Sequence, residues 1–208
     1  MNIDDYILSH LEQEPDYLKA IERKTNIRFI NPRMASGHLQ GRLLKMLTRI
    51  INPQNALEIG TFTGYSALCI AEGLSESAHL HTIEIDDELE DFIRRNFQNS
   101  PFERKITLHI GNALDIIPIF GKEFDLVFID ADKCQYWEYF ETVLPKVRKG
   151  GFIIVDNTLW NGKIVQPVQH GDKRTKSIID FNRRIAADNR IEQLILPLRD
   201  GLTLIMKK

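Results

Sequence analysis

Along this chain, short apolar runs alternate with longer stretches in which apolar and charged residues mix. From Ala56 onward the runs are Ala56–Ile59, Leu80–Ile83, Ile106–Ile110, Phe124–Ile129 and Phe152–Val155, then Gln193–Leu196 and Leu202–Met206. Each has strand character, and the stretches between the first five carry helical patterns. Five βα units followed by two closing strands predict a doubly wound α/β sheet of seven strands, mostly parallel. Asp200-Gly201 hinges the last pair as a hairpin, so one closing strand runs antiparallel. Ahead of the sheet, residues 3–25 and 34–51 show helical periodicity. Gly37 and Gly41 soften the second helix near its start, and Pro53 stops it. The reading is one domain, with a helical cap over residues 1–53 and an α/β core over 54–208. The cap covers the carboxyl ends of the strands, where ligands sit in such folds.

Composition narrows the setting. At 208 residues, 43% hydrophobic and 27% charged, the chain suits one ordinary globular domain. A net charge of -2 exerts no global pull on nucleic acid or membrane. The acidic start lacks the layout of a signal peptide, and no apolar stretch approaches a membrane span. Cys69 and Cys134 have no metal spacing, which fits reduced thiols in a cytoplasm.

The strand ends carry the chemistry. Phe124–Ile129 runs into Asp130-Ala131-Asp132-Lys133, and Phe152–Val155 runs into Asp156-Asn157. Parallel strands would bring Asp130, Asp156 and Asn157 to one rim. Two carboxylates and an amide suit a hard divalent cation, Mg²⁺ above all, with Ca²⁺ or Mn²⁺ as alternatives. Lys133 would set an amine beside that cation, where it can act as a base. Taken alone, strand-end Asp and Asn equally serve as caps of turns.

After the first strand, Glu58-Ile59-Gly60-Thr61-Phe62-Thr63-Gly64-Tyr65-Ser66 opens a helix. Glycines there admit a ligand to the backbone and to free N–H groups. The spacing is GxxxG and lacks the GxGxxG of a dinucleotide site. Glu58 would repel a pyrophosphate and attract an ammonium or sulfonium. Glu84 ends the second strand, from which an acid accepts bonds from ribose hydroxyls. A nucleoside with a cationic amino-acid tail, S-adenosylmethionine, fits this set. Gly111-Asn112-Ala113, after the third strand, would lie over its adenine.

These residues resemble the cation-dependent class I O-methyltransferases of the catechol and caffeoyl-CoA type, in their small bacterial form. The segments are Met34-Ala35-Ser36, Glu58–Ser66, Ile83–Asp86, Gly111–Asp115, Phe128–Lys133, Asp156–Gly162 and Asp200–Leu204, in the family's order. The resemblance implies a Rossmann-like fold and a metal at Asp130, Asp156 and Asn157. It implies Lys133 as general base, and donor contacts at Ser36, Glu58, Gly60, Thr61, Ser66, Glu84, Ala113 and Asp132. Asn161 would line the acceptor pocket, with Trp160 as a wall beside it. Cys134-Gln135 departs from the plant enzymes, which usually carry Asp-Asn there. The shorter N-terminus removes part of the grip on a CoA tail.

The implied activity is methyl transfer to one oxygen of a small aromatic vicinal diol. The alternative acceptor is a hydroxylated uridine in tRNA, gripped by the basic segment Lys173-Arg174-Thr175-Lys176 with Arg183, Arg184 and Arg190. Otherwise that segment is a solvated face. Lys133 has a structural alternative too, pairing with Asp132 or another acid. A non-catalytic or NAD-binding Rossmann protein is disfavoured by the missing GxGxxG and by the intact acidic sets. The six histidines form no ligand set and are read as structural, and Tyr136-Trp137-x-Tyr139-Phe140 as the core face of a helix. A homodimer is expected, with apolar positions in the N-terminal helices and closing strands as its face.

Overall fold

The seven strands form one sheet: β1 (Asn55–Ile59), β2 (His79–Glu84), β3 (Ile106–Ile110), β4 (Phe124–Ile129), β5 (Val147–Asp156), β6 (Ile191–Leu196) and β7 (Leu202–Lys207). They come from a computed structural model that describes residues 3–30 and 36–208. Their order is β3-β2-β1-β4-β5-β7-β6. Strands β1 to β5 are parallel, and β7 runs antiparallel to both β5 and β6, as the hairpin at Asp200-Gly201 requires. All the predicted strands are present. Strand β5 starts at Val147, ahead of the Phe152 expected, because Arg148 and Lys149 mask the extension and its pairing with β4 is irregular between Phe124 and Leu126.

Side-chain alternation splits the core into two layers. Leu57, Ile59, Val127, Ile129, Ile153 and Val155 face α7 (Tyr136–Val143) and α8 (Lys173–Ala186), through Tyr136, Phe140, Phe181 and Ile185. Ala56, Leu80, Leu126, Phe128 and Ile154 face the N-terminal helices, α4 (Tyr65–Gly73) and α5 (Glu90–Gln98). Strands covered on both faces read as near-continuous apolar runs, which is why they stood out. The Tyr136–Phe140 cluster belongs to the core as expected, with Tyr136, Tyr139 and Phe140 buried.

The first predicted helix is two, α1 (Ile3–Ser9) and α2 (Asp16–Arg28). Pro15 breaks it, because proline has no N–H and pushes Glu14 away from helical geometry. The next helix, α3, spans Gly37–Ile51 and ends with Asn52 left-handed at φ 50° before Pro53. Its expected start at 34 lies outside the described residues, as do Met34 and Ala35.

Gly41 does not soften α3; it is where α3 touches α4. A Cβ there would stand 2.7 Å from Cys69 Sγ and 2.9 Å from Tyr65 Cε1. Beside it, Arg42 and Lys45 clasp Glu72 of α4 at 2.8 and 2.6 Å, and Lys45 reaches Glu12 at 3.0 Å. The hydroxyl of Tyr65 donates to Glu14. The link between α1 and α2 is thereby tied to α3 and α4.

His79 and His81 share a face of β2, as their spacing implied, with rings 5.0 Å apart. The sequence did not reveal their partners. Lys122 Nζ lies 2.9 Å from His81 Nε2, and His81 Nδ1 lies 2.9 Å from His109 Nε2. The ammonium must donate to His81, so His81 carries its proton on Nδ1 and passes that bond to His109.

Two outcomes follow. Gly41→Ala would normally favour a helix by up to about 1 kcal/mol; here the clash should reverse the sign and destabilise by about 1–3 kcal/mol in urea unfolding. Second, burial and Lys122 hold His81 down at about 4, so the folded state resists a proton that the unfolded chain accepts. Stability should therefore fall as pH drops from about 6.5 towards 4, and His81→Phe should flatten that part of a Tm-against-pH curve.

Candidate active site

The loops after β1, β2, β4 and β5 meet at one rim of the sheet, where the strand order reverses between β1 and β4. Registers pair Glu58 with Thr82 and with Phe128, and Phe128 with Ile154. Residues in register share a face, and alternation carries Glu84 and Asp156 onto it as well. The first loop is pressed against the fourth: Gly60, at φ +96°, lies so near β4 that a Cβ would stand 2.1 Å from the Asp130 carbonyl oxygen. Only glycine fits there.

Beside the glycine loop, Glu58 is fully buried. Thr82 donates to its Oε2 at 2.5 Å, and Thr61 in turn stands 2.5 Å from Thr82 Oγ1. Its Oε1 is buried without a hydrogen-bond partner. Burial pushes the carboxyl up to about 8, opposed by the hydroxyls of Ser66 and Thr82. A buried, half-satisfied carboxylate fits a cationic group beside it. Glu84 accepts from the backbone N–H of Phe62 at 2.7 Å, Ile85 at 2.9 Å and Asp86 at 3.0 Å. It thus fixes the glycine loop to the end of β2. Asn112 caps the turn after β3 by accepting from Leu114 N, which sets the buried Ala113 at the head of a short helix. Ser36 is buried ahead of Gly37 and makes no cap bond.

On the acidic side, Lys133 Nζ stands 2.6 Å from Asp130 Oδ1. Its acidic partner is therefore Asp130. Asp132 instead accepts from Cys134 N and caps the turn that follows. The Lys133 ammonium also lies 5.1 Å from the Tyr136 ring centroid. Asp156 accepts from its neighbour Asn157 N at 2.7 Å and from Gln40 Nε2 at 2.6 Å. Burial and the charge of Asp130 push Asp156 up to about 7, against the bonds from Gln40 and Asn157. Asn157 is left-handed at φ 58°, a conformation asparagine tolerates. Among the described residues, no three of His, Cys, Asp and Glu gather as a metal-ligand set. The oxygen donors at this rim are two carboxylates and one amide, a set suited to a hard cation.

Two members of the site were not foreseen. Gln40, on the buried side of α3, bonds Asp156 through Nε2 and receives Arg199 Nη1 on Oε1 at 3.3 Å. A lone glutamine at a buried helical position was its signal. The Tyr136 hydroxyl donates to the Asp156 carbonyl at 2.9 Å; its ring was read as core, and its hydroxyl is the part that serves the rim.

Beyond Asn157 opens a cavity of about 590 Å³. Leu159, Ile164 and Val165 give it apolar walls, and Asn161, Arg199 and Asp200 give it polar ones. Asn161 N donates to Asp200, which ties the turn to the β6–β7 hairpin. Trp160 does not line this cavity; its Nε1 is buried without a partner.

Replacing Gln40 by Met keeps the shape and removes the donor to a buried carboxylate. The expected cost is about 1–3 kcal/mol in chemical denaturation.

The chain matches the family model for O-methyltransferases over residues 8–208. It is 34% identical to caffeoyl-CoA O-methyltransferase 2 of Populus trichocarpa, across 96% of this chain and 85% of that one. It is 38% identical to catechol O-methyltransferase domain-containing protein 1 of Mus musculus, across 81% and 66%. Its structure superposes on the O-methyltransferase TomG of Streptomyces achromogenes, solved with SAM, at a TM-score of 0.91, with 29% identity over 99% of this chain and 96% of that one. An O-methyltransferase from Bacillus cereus in complex with SAH gives 0.91 and 29%, over 99% and 97%. With glycine loop, strand-end acids and sheet order all in agreement, the chain belongs to the O-methyltransferase family and is an enzyme of that kind.

Proposed function

We propose that this enzyme moves the methyl group of S-adenosylmethionine to one oxygen of a small aromatic vicinal diol, with a divalent cation at Asp130, Asp156 and Asn157. The observation that carries the reading is the meeting of two strand-end carboxylates, Asp130 and Asp156, beside an apolar-walled cavity. In support, solved neighbours hold SAM or SAH, and the curated relatives are named for caffeoyl-CoA and catechol chemistry.

The donor would be held by Glu58, Gly60, Thr61 and Ser66 around its amino-acid end and by Glu84 at its ribose. Ser36, Ala113 and Asp132 would complete the contact. When bound, the sulfonium donor supplies an activated methyl, and the cation, most simply Mg²⁺, supplies Lewis acidity to the diol. The protein's own residues do the rest. Asp130, Asp156 and Asn157 fix orientation, which is the main requirement of an in-line transfer. Lys133, in its neutral amine form, would take the hydroxyl proton at Nζ and become the ammonium that pairs with Asp130. Asn161 offers the acceptor one polar contact, and Leu159, Ile164 and Val165 keep water from its ring.

The tRNA alternative draws little from the basic segment. Arg183 and Arg184 pair with Asp180, and Arg184 also lies over Trp137. Arg190 falls after α8 and pairs with Asp188 and Glu141. Among the described residues no helix is long and apolar enough to cross a membrane. Exposed Met46 and Ile50, one turn apart on α3, support the homodimer as part of the same proposal.

A paired assay of caffeate, a vicinal diol, and coumarate, a monophenol, at equal concentration and saturating Mg²⁺ tests the reading. Caffeate should be methylated and coumarate far more slowly, and both EDTA and Asp156→Ala should abolish turnover. Full activity after exhaustive EDTA, or equal rates on the pair, would overturn it. Inactivity on both, with methylation of hydroxyuridine tRNA, would move the acceptor to RNA.

A further inference from the structure

Asp156 is gripped at both of its carboxylate oxygens. Oδ1 accepts from Asn157 N at 2.7 Å, and Oδ2 accepts from Gln40 Nε2 at 2.6 Å. The first bond is local to the strand end, from the next residue along. The second comes from α3, 116 residues away in the chain, and fixes the other oxygen. Together they set the plane of the carboxylate, while each oxygen keeps one of its two acceptor directions. The pair is shut off from water, with Gln40 1% and Asp156 3% exposed, so solvent does not compete for the bond. The direction of the carboxamide is fixed as well. A guanidinium only donates and an ionised carboxylate only accepts, so Gln40 turns Oε1 to Arg199 and Nε2 to Asp156. A carboxamide meets both partners, whereas glutamate would set a second negative charge against Asp156.

We propose that Gln40 positions Asp156 for the cation. By holding Oδ2 it presents the carboxylate already oriented, so cation affinity depends on a side chain that is not itself a ligand. This rests on the functional reading above and deepens it. Hydrogen-bond partners behind metal ligands are typically worth about tenfold to a hundredfold in affinity. The physical reason is that a ligand free to turn must be ordered when the ion arrives, and one already held need not be.

The test is a Mn²⁺ titration of the metal-free protein, read from the electron paramagnetic resonance signal of the free ion. It compares the wild type with Gln40→Met and Gln40→Asn. Methionine keeps the length and loses the donor; asparagine keeps the carboxamide and draws it back by one methylene. Both variants should bind Mn²⁺ about tenfold to a hundredfold more weakly. Their calorimetric affinity for SAH should stay at the wild-type value, because the lost bond lies on the cation side of the rim. If Gln40→Met does not fold, Gln40→Asn carries the comparison. A folded variant that binds Mn²⁺ as tightly as the wild type would overturn the proposal and leave the functional reading standing. Equal losses for Mn²⁺ and SAH would also overturn it, since they would mark general damage to α3. A wild type that binds no Mn²⁺ would remove the cation from the functional reading, and this proposal with it.

Discussion

The site depends on the register of four parallel strands. Because β2, β1, β4 and β5 are aligned, Glu84, Glu58, Asp130 and Asp156 arrive together at one rim. Like charges brought so close and partly buried oppose folding. Each is answered locally: Glu84 by three backbone N–H groups, Glu58 by Thr82, Asp130 by Lys133, and Asp156 by Gln40. What stays unanswered is Glu58 Oε1, fully buried and without a donor. Such an atom is costly to bury, and it is the least satisfied atom of the rim.

The N-terminal helices hold one of those answers in place. Gln40 reaches Asp156 only because α3 lies close on α4, and that approach needs the bare backbone of Gly41. Burial alone would raise Glu72, yet hydrogen bonds from Arg42 and Lys45 outweigh it and keep the carboxyl below its ordinary range. The clasp is strong where it is shielded, with both cations nearly buried. Packing and charge at the α3–α4 contact thus bear on the chemistry at the far end of α3. The hairpin between β6 and β7 supplies part of the cavity wall through Arg199 and Asp200, and Arg199 reaches Gln40 of α3.

Much of this was legible in the residues. The central strands, covered on both faces, are apolar nearly throughout and so stood out, and the acids that end β2, β4 and β5 marked the rim. The GxxxG loop, with Glu58 before it, argued against a dinucleotide and for a cationic ligand. Pro15 and Arg148-Lys149 misled for the same local reason: each interrupts a pattern without revealing what replaces it. The helix broke at the proline, while the strand ran on through the charges, with Val147 ahead of them still paired to Phe124 of β4.

Sequence alone therefore determined the βα rhythm, the antiparallel return at Asp200-Gly201, and the order in which acids reach the strand ends. These are encoded in neighbours along the chain, through periodicity and turn chemistry. Tertiary structure alone decided that Lys133 pairs with Asp130 and leaves Asp132 to cap a turn. It decided as well that Gln40 and the Tyr136 hydroxyl serve Asp156, and that Lys122, His81 and His109 form one hydrogen-bonded row. Apart from Lys133 and Asp130, three residues apart in one turn, such partners lie on different elements, and which side chains meet is fixed by helix placement and packing, where no local pattern reaches.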